Sequence, residues 1–476
     1  MKLKEKIGYG FGDMASSMFW KLLSYYLPFF YTNVYGLGLE HAGLLMIITR
    51  IWDAVSDPMM GIIADRTNTR WGKYRPYLLF FAVPFSVAGV LLFTTPDSSE
   101  GFKTFWAYFT YILMMTVYTG INVPYGALLN TMTSDSDEKS VLSSFRMFFA
   151  YGGSFIALFA WEPLCNFFGK AAEAAPAIAE EANAAMATVS RDPAGWQMAM
   201  ISIAVVCCIL FVLCFLMTKE YVHSKSTVSV GSDLKLLVRN KPWWLLIGAA
   251  LGSNLFNTVR GTATAYFFAD YLSQLVQMNS SLAFLLSASI FLSVGEVANM
   301  IGVVIAVPMS RKLGKKSTYI VSMAALIGLS ILFFFLPATS GGYMAMLAFQ
   351  LLISVFTGII SPLIWSMYAD VADYSELKDG TASTGLIFSS ASMAQKFGGA
   401  FGGAAVMWIL AGFGYNTAEG AVQTETAILG LQMLMSWVPA IVAALSILVV
   451  WFYPLTKKKM EGVQAELSAK RTAAAK

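Results

Sequence analysis

The sequence predicts an all-α membrane protein, with twelve transmembrane helices in two pseudo-symmetric six-helix bundles. Three observations carry that prediction. The first is composition: of 476 residues, 57% are hydrophobic and only 13% charged, and mean hydropathy is +0.62. A soluble chain carries about 25% charge, so this one has too few charged groups to cover a water-facing surface of its size. With 35 Phe, 12 Trp and 26 Met, the profile is that of a chain dissolved in lipid, and it excludes a nucleic-acid binder, a secreted disulfide scaffold and a disordered protein. The second is the placement of basic residues along the chain. The third is an internal repeat at half its length.

A bilayer core of about 30 Å takes about 20 apolar residues per helix. Polar punctuation divides the chain into apolar runs near 9–35, 40–64, 75–95, 103–130, 140–168, 196–217, 243–272, 281–308, 317–337, 342–368, 384–412 and 428–454. The first run follows Lys2, Lys4 and Lys6, holds polar residues throughout and has no small-residue cleavage site. It reads as a retained helix, not a signal peptide. Residues 1–217 form the first bundle, 218–242 a polar linker, 243–456 the second bundle and 457–476 a basic tail. The Ala-rich stretch 168–195 departs from the pattern and reads as a helical hairpin or loop outside the membrane.

Of the 32 basic residues, 24 fall in alternate connections starting from the N-terminus, three in the other connections and five inside spans. The positive-inside rule then places both termini in the cytoplasm of a multi-pass plasma (inner) membrane protein. A miscounted span would scramble the alternation. The repeat is equally regular. Arg70-Trp71-Gly72-Lys73 after the second span matches Leu313-Gly314-Lys315 after the eighth, Gly152-Gly153 in the fifth matches Gly398-Gly399 in the eleventh, and Pro124 matches Pro362, at offsets of 242, 246 and 238 residues. Two duplicated halves are the simplest source of such offsets.

Charges inside a membrane are costly and mark function. The basic set is Lys21, Arg50, Arg146, Arg260 and Lys396; the acidic set is Asp13, Asp53, Asp57, Glu162, Asp270, Glu296, Asp370 and Asp373. Arg50, Asp53 and Asp57 stack on one helix face at spacings of 3 and 4, which sets two carboxylates about 6 Å apart beside one cation. With Ser56 beside them, this oxygen-rich set suits Na⁺ or a shared proton; a structural charge network is the alternative. Tyr118, Thr119 and Asn122 lie where Gly120 and Pro124 weaken the fourth helix, and are candidate ligands. Arg146 and Lys396 precede their Gly-Gly pairs on equivalent helices; they face a substrate or pair with Asp13, Asp53 or Asp57. Arg260 and the aromatic Trp365 are further substrate candidates. Arg50, Glu296, Asp370 and Asp373, with the loop residues Arg66 and Arg311, are candidates for gating salt bridges. The two histidines lie in expected loops and the four cysteines have no metal or redox spacing, so no cofactor is expected beyond the coupling ion.

Several motifs together resemble the glycoside–pentoside–hexuronide:cation symporters, the melibiose-carrier branch of the major facilitator superfamily. They are Tyr9-Gly10-Phe11-Gly12-Asp13, Phe30-Tyr31-Thr32-Asn33-Val34, Arg50-Ile51-Trp52-Asp53 through Asp57-Pro58, Arg70-Trp71-Gly72-Lys73, Asp370 through Glu376, and Gly385-Leu386-Ile387-Phe388 through Lys396. The resemblance implies the major facilitator fold and uptake of a sugar coupled to Na⁺ or H⁺ by alternating access. It places the cation-site carboxylates on Asp53 and Asp57, the helix-four threonine on Thr119 and the helix-eleven lysine on Lys396. At the sugar site the chain departs from the melibiose carrier: the family's two acidic sugar ligands fall on Ser17 and Asn122, its tryptophan on Gly126 and its arginine on Met147, beside Arg146. Fewer carboxylates beside Arg146 and Lys396 lead to the expectation of a uronide or other acidic sugar.

A carrier for a lipid-like or amphipathic solute is the nearest alternative; a channel, a receptor or a membrane-embedded enzyme would each be of another class. An enzyme would need a nucleophile–base or metal constellation, which the spans lack. The expected partners are a small sugar or glycoside, the coupling cation and the bilayer, with no nucleic acid, and the chain is expected to be monomeric.

Overall fold

In a bilayer each backbone N–H and C=O must be bonded within its own segment, so long apolar runs fold as helices. The computed structural model describes residues 2–133, 136–169, 190–221, 238–272, 275, 287–379, 384–418 and 421–474, and among them every regular element is a helix. In chain order these are α1 (Leu3–Tyr25), α2 (Leu39–Arg66), α3 (Arg75–Leu92), α4 (Glu100–Met132), α5 (Ser136–Phe168), α6 (Pro193–Met217), α7 (Lys241–Tyr266), α8 (Ala288–Leu313), α9 (Lys315–Phe333), α10 (Ser340–Asp379) and α11 (Thr384–Gly412). α12 comes in two pieces, Glu425–Met435 and Trp437–Trp451, and α13 (Lys457–Ala474) closes the chain. Each expected span falls on one of α1–α12, with part of the eighth outside the described residues. The tenth runs beyond its expected end at 368, so Asp370 and Asp373 are helical residues.

Eight of these helices, α3–α6, α8–α10 and α12, are long and apolar enough to cross a membrane by that measure alone. The other four of α1–α12 are α1, α2, α7 and α11. They carry Asp13 and Lys21; Arg50, Asp53 and Asp57; Arg260; and Lys396. Buried neighbours must compensate those charges.

The duplication seen in the sequence recurs in the helices. α1 continues through a short turn at Leu27–Phe29 into a π-helical turn, Phe30–Val34, and α7 continues into a π-helical turn, Phe267–Tyr271. The Gly-Gly pairs serve the same purpose in both halves. A Cβ at Gly153 would lie 2.5 Å from the Met14 carbonyl of α1, and one at Gly398 would lie 2.7 Å from Asn254 Cβ of α7. Only glycine lets α5 approach α1, and α11 approach α7, this closely.

The α2–α3 connection is fixed by a residue the sequence did not single out. The Glu220 carboxylate, just past α6, accepts the N–H groups of Lys73 (3.0 Å), Tyr74 (2.8 Å) and Arg75 (2.9 Å) at the start of α3. A carboxylate at a helix N-terminus satisfies donors that have no partner within the helix. Gly72 has φ +112, and a Cβ there would sit 2.6 Å from Glu220 Oε1. Arg75 Nη2 completes the clamp on the Phe215 carbonyl at 2.6 Å. In the second half Gly314 repeats the positive φ, and Lys316 Nζ donates to the carbonyls of Trp451 (2.7 Å) and Tyr453 (2.8 Å) at the end of α12.

The chain forms two compact units. One comprises Met1–Ser226, Gly261–Glu296 and Gly403–Leu431; the other Thr227–Arg260, Val297–Gly402 and Gln432–Lys476. In the first unit, then, the segments Gly261–Glu296 and Gly403–Leu431, which hold one end each of α7, α8, α11 and α12, pack with α1–α6. In the second, the basic tail is the helix α13, which buries Met460, Val463 and Leu467 at spacings of 3 and 4 and packs on α10. Residues 170–189 of the expected hairpin and 222–237 of the linker lie outside the described residues. The hairpin's two ends meet: Asn166 Oδ1 accepts the Ser190 N–H at 2.6 Å.

Gly72→Ala, strained in φ and crowding the clamp, is expected to destabilise the protein by about 1–3 kcal/mol, read as a lowered thermal midpoint in detergent. Glu220→Ala should act comparably. Because both changes break one clamp, the double variant should lose less than the sum of the two.

Candidate functional site

Helical periodicity decides which side of α2 does chemistry. Ile51, Val55, Met59, Ile62 and Ile63 are exposed along one face; Arg50, Asp53, Ser56, Met60 and Ala64 are buried on the other. On the buried face Arg50 Nη1 donates to Asp53 Oδ2 at 2.6 Å, both side chains being under 7% exposed. Arg50 Nη2 donates to Tyr111 Oη of α4 at 3.2 Å, and its guanidinium lies 5.3 Å from the Trp20 ring of α1. One turn on, Thr119 Oγ1 of α4 donates to Asp57 Oδ1 at 2.6 Å. Ser56 Oγ is buried and makes no hydrogen bond among the described residues. The structure thus brings Asp53, Ser56, Asp57 and Thr119 together between α2 and α4. Their oxygens suit a hard monovalent cation, and the orphaned Ser56 hydroxyl is an observation in favour of that fit. Among the described residues no group of three His, Cys, Asp or Glu is placed to hold a metal.

On α1, Asp13, Ser17, Trp20, Lys21 and Ser24 are half-buried at spacings of 4, 3, 1 and 3, a single polar stripe between buried neighbours. Arg146 of α5 meets this stripe. Its Nε donates to Asp13 Oδ2 at 3.0 Å and its Nη2 to Asp13 Oδ1 at 3.4 Å, and its guanidinium lies 5.8 Å and 5.2 Å from the rings of Tyr9 and Tyr125. Of the two readings of Arg146, pairing with Asp13 is the one realised. Met147, the family's arginine position, is exposed beside it. On α4, Tyr118 packs 5.7 Å from Trp20, and Asn122 Nδ2 bonds back to the Tyr118 carbonyl at 3.2 Å.

Three substrate candidates belong to the second unit. Lys396 and Trp365 are half-buried on α11 and α10. Arg260 is buried, donating to the Met435 carbonyl at the break in α12 and to Gln350 Oε1 at 3.0 Å, with Phe333 5.0 Å beneath it. Its charge serves a helix C-terminus. Of the gating candidates, Asp370 accepts from Lys315 Nζ at 2.7 Å, whereas the Arg311 side chain is exposed and its carbonyl accepts Lys457 Nζ at 2.9 Å. Asp373 is half-buried and Arg66 exposed.

A second polar cluster, at the end of the first unit remote from the N-terminus, includes the gating candidate Glu296; its other members had no role assigned from sequence. Lys21 Nζ donates to Glu296 Oε1 of α8 at 2.5 Å, and Thr262 Oγ1 of α7 to the Ser24 carbonyl at 2.8 Å. Thr32 Oγ1 and Tyr266 Oη are 2.6 Å apart. Asn33 Nδ2 donates to Tyr415 Oη at 3.0 Å, and Tyr415 Oη to Asp270 Oδ2 at 2.5 Å. Glu162 of α5 joins Tyr26 and Ser289 in the same region. Thr32 and Asn33 lie in the Phe30–Val34 motif, so the motif was legible but its partners, hundreds of residues away, were not.

The family model described as MFS/sugar transport protein matches residues 8–457. The chain is 34% identical to a putative glycoside/cation symporter, YagG, of Escherichia coli (strain K12), covering 99% of this chain and 96% of that one. It is also 34% identical to an isoprimeverose transporter of Lactiplantibacillus pentosus, over 95% of this chain and 89% of that one. Among solved structures, the nucleoside transporter NupG superposes with TM-score 0.61 at 14% identity, over 95% of this chain and 98% of that one, a likeness of fold.

Arg50→Ala would remove the 2.6 Å ion pair to the buried Asp53 and is expected to cost about 3–5 kcal/mol of stability. Thr119→Val, removing one hydroxyl donor, should cost about 1 kcal/mol. Thermal unfolding of the purified variants separates the two roles: a mild Arg50→Ala would remove the bracing role of the pair.

Proposed function

The chain belongs to the MFS/sugar transport protein family, and on that premise we propose that it is a secondary active transporter carrying a glycoside together with Na⁺ or H⁺ by alternating access. What supports a coupling cation is the oxygen set between α2 and α4: Asp57 Oδ1 accepts from Thr119 Oγ1 at 2.6 Å, and the buried Ser56 hydroxyl makes no hydrogen bond among the described residues. These oxygens suit one monovalent cation, or one proton. Binding between Asp57 and Thr119 draws α2 to α4, which also carries Tyr118 and Asn122. Tyr118 and Asn122 lie within one turn of Thr119, so ligation there sets the groups offered to a sugar beside it.

The sugar itself is recognised mainly through hydroxyls. Arg146 is matched by Asp13 at 3.0 Å, so its charge reaches an acidic group only if that pair opens. Ser17, Asn122 and Tyr118 offer neutral hydrogen-bonding groups. This favours a neutral glycoside over the uronide that the sequence suggested.

The polar cluster at the remote end serves as one gate. Its hydrogen bonds contribute about 0.5–1.5 kcal/mol each, and moving a two-state equilibrium from one side to the other takes about 5.5 kcal/mol of differential binding. A gate of this size is one that ligand binding can open and close. The basic residues, 24 of 32 in alternate connections, support cytoplasmic termini and hence an outward-facing position for this gate.

In proteoliposomes, Asp57→Asn is expected to insert and fold but to lose accumulation of sugar against its gradient, measured as radiolabelled uptake with and without Na⁺ and an uncoupler. Full concentrative uptake by this variant would refute the coupling role. Competition by a uronide should be no stronger than by its neutral parent glycoside; stronger competition would return Arg146 to the substrate.

A further inference from the structure

We propose that Glu162 is a proton-binding site that senses the pH on the side of the remote gate and biases that gate between closed and open. Glu162 is 3% exposed, near the end of α5. Its Oε1 accepts from Tyr26 Oη at 3.1 Å and its Oε2 from the Ser289 N–H at 3.1 Å, while its own N–H reaches Ser289 Oγ at 3.2 Å. One carboxyl group thus joins α5 to the end of α1 and the first turn of α8.

All of these partners are neutral. Among the described residues, titratable groups on the surrounding elements include Lys21 and Tyr25 on α1, Glu296 on α8, Cys165 on α5, Tyr266 on α7, Asp270 beyond it, and Arg191 and Asp192 just before α6. Lys21 and Glu296 bind each other, seven residues along α8 from Ser289, or about 10 Å. Tyr266 is bonded to Thr32 and Asp270 to Tyr415. α6 contributes Trp196, edge-on to Tyr26 at 6.2 Å. A carboxylate in this setting has the N-terminus of α8 and two donors to stabilise it, but no ion pair among the described residues, and burial opposes its charge.

The hydrogen bonding accommodates the proton without rearrangement. Tyr26 Oη and Ser289 Oγ are 3.2 Å apart and either can donate. With Glu162 ionised, Tyr26 donates to the carboxylate. With Glu162 protonated, its O–H donates to Tyr26, and Tyr26 donates to Ser289. When the gate opens, α8 separates from α1 and α5 and water reaches the group, which then releases its proton. The closed form binds the proton more tightly than the open form, so acid favours closure and alkali favours opening. The proton enters and leaves on the same side. It is therefore not the coupling ion of Asp53 and Asp57 but a separate input to the same cycle.

The inference rests on the alternating-access reading, and its test needs no sugar, so failure of uptake and failure of the sensor are distinguishable. Spin labels are attached to the full chain at Glu40→Cys and Val422→Cys, two exposed positions at the gate, with Cys208→Ser, in lipid nanodiscs. Electron–electron distances are followed across a pH series. The parent is expected to lengthen from the short, closed distance as pH rises. Glu162→Gln should hold the short distance at every pH. A parent insensitive to pH, or a Glu162→Gln that titrates as the parent does, would overturn the proposal. Tyr26→Phe keeps the carboxyl but removes a donor to its ionised form, and should move the midpoint upward by about one pH unit; an unmoved midpoint would also overturn it.

Discussion

A charge inside a bilayer must meet its opposite or be given up, and that constraint organises this molecule. Arg50 meets Asp53, Arg146 meets Asp13, Lys21 meets Glu296 and Lys315 meets Asp370. The first of these is a pairing along a single helix. The others join α1 to α5, α1 to α8, and α9 to α10, and so help decide which helices lie together.

The same constraint separates bracing from chemistry. Arg260 carries its charge to a broken helix end, and Arg50 is consumed by Asp53 and Tyr111. The oxygen set at Asp57, Thr119 and Ser56 is of another kind, with hydroxyls standing beside a carboxylate. The remote gate is built otherwise. It is mostly hydrogen bonds among hydroxyls, amides and two carboxylates, with one ion pair, a composition that favours reversible closure over permanent bracing.

Much of the fold was legible in the sequence because membrane helices are written locally. Apolar runs of span length, alternating basic connections and a repeat at half-length needed no tertiary knowledge. The α2 cluster was legible for the same reason, since Arg50, Asp53 and Asp57 are neighbours by helical spacing. What was not legible lies across helices. Nothing near Lys21 names Glu296, 275 residues on. Of the basic residues Arg311, Lys312, Lys315 and Lys316, register alone turns Lys315 to Asp370. Glu220 carries no local signal after α6, and its clamp on α3 required the chain reversal at Gly72. The π-helical turns that end α1 and α7 have no local signature, yet they place Thr32, Asn33 and Asp270 in the gate.

Cation and sugar must bind with mutual preference if Asp57 and Thr119 couple them through α4, because linkage is reciprocal. The most direct measurement is sugar affinity of the purified protein, by calorimetry with a transported glycoside, across Na⁺ concentration and pH. Affinity should rise with the coupling cation in the parent and become independent of it in Asp57→Asn. Sugar affinity indifferent to both Na⁺ and protons in the parent would contradict the account.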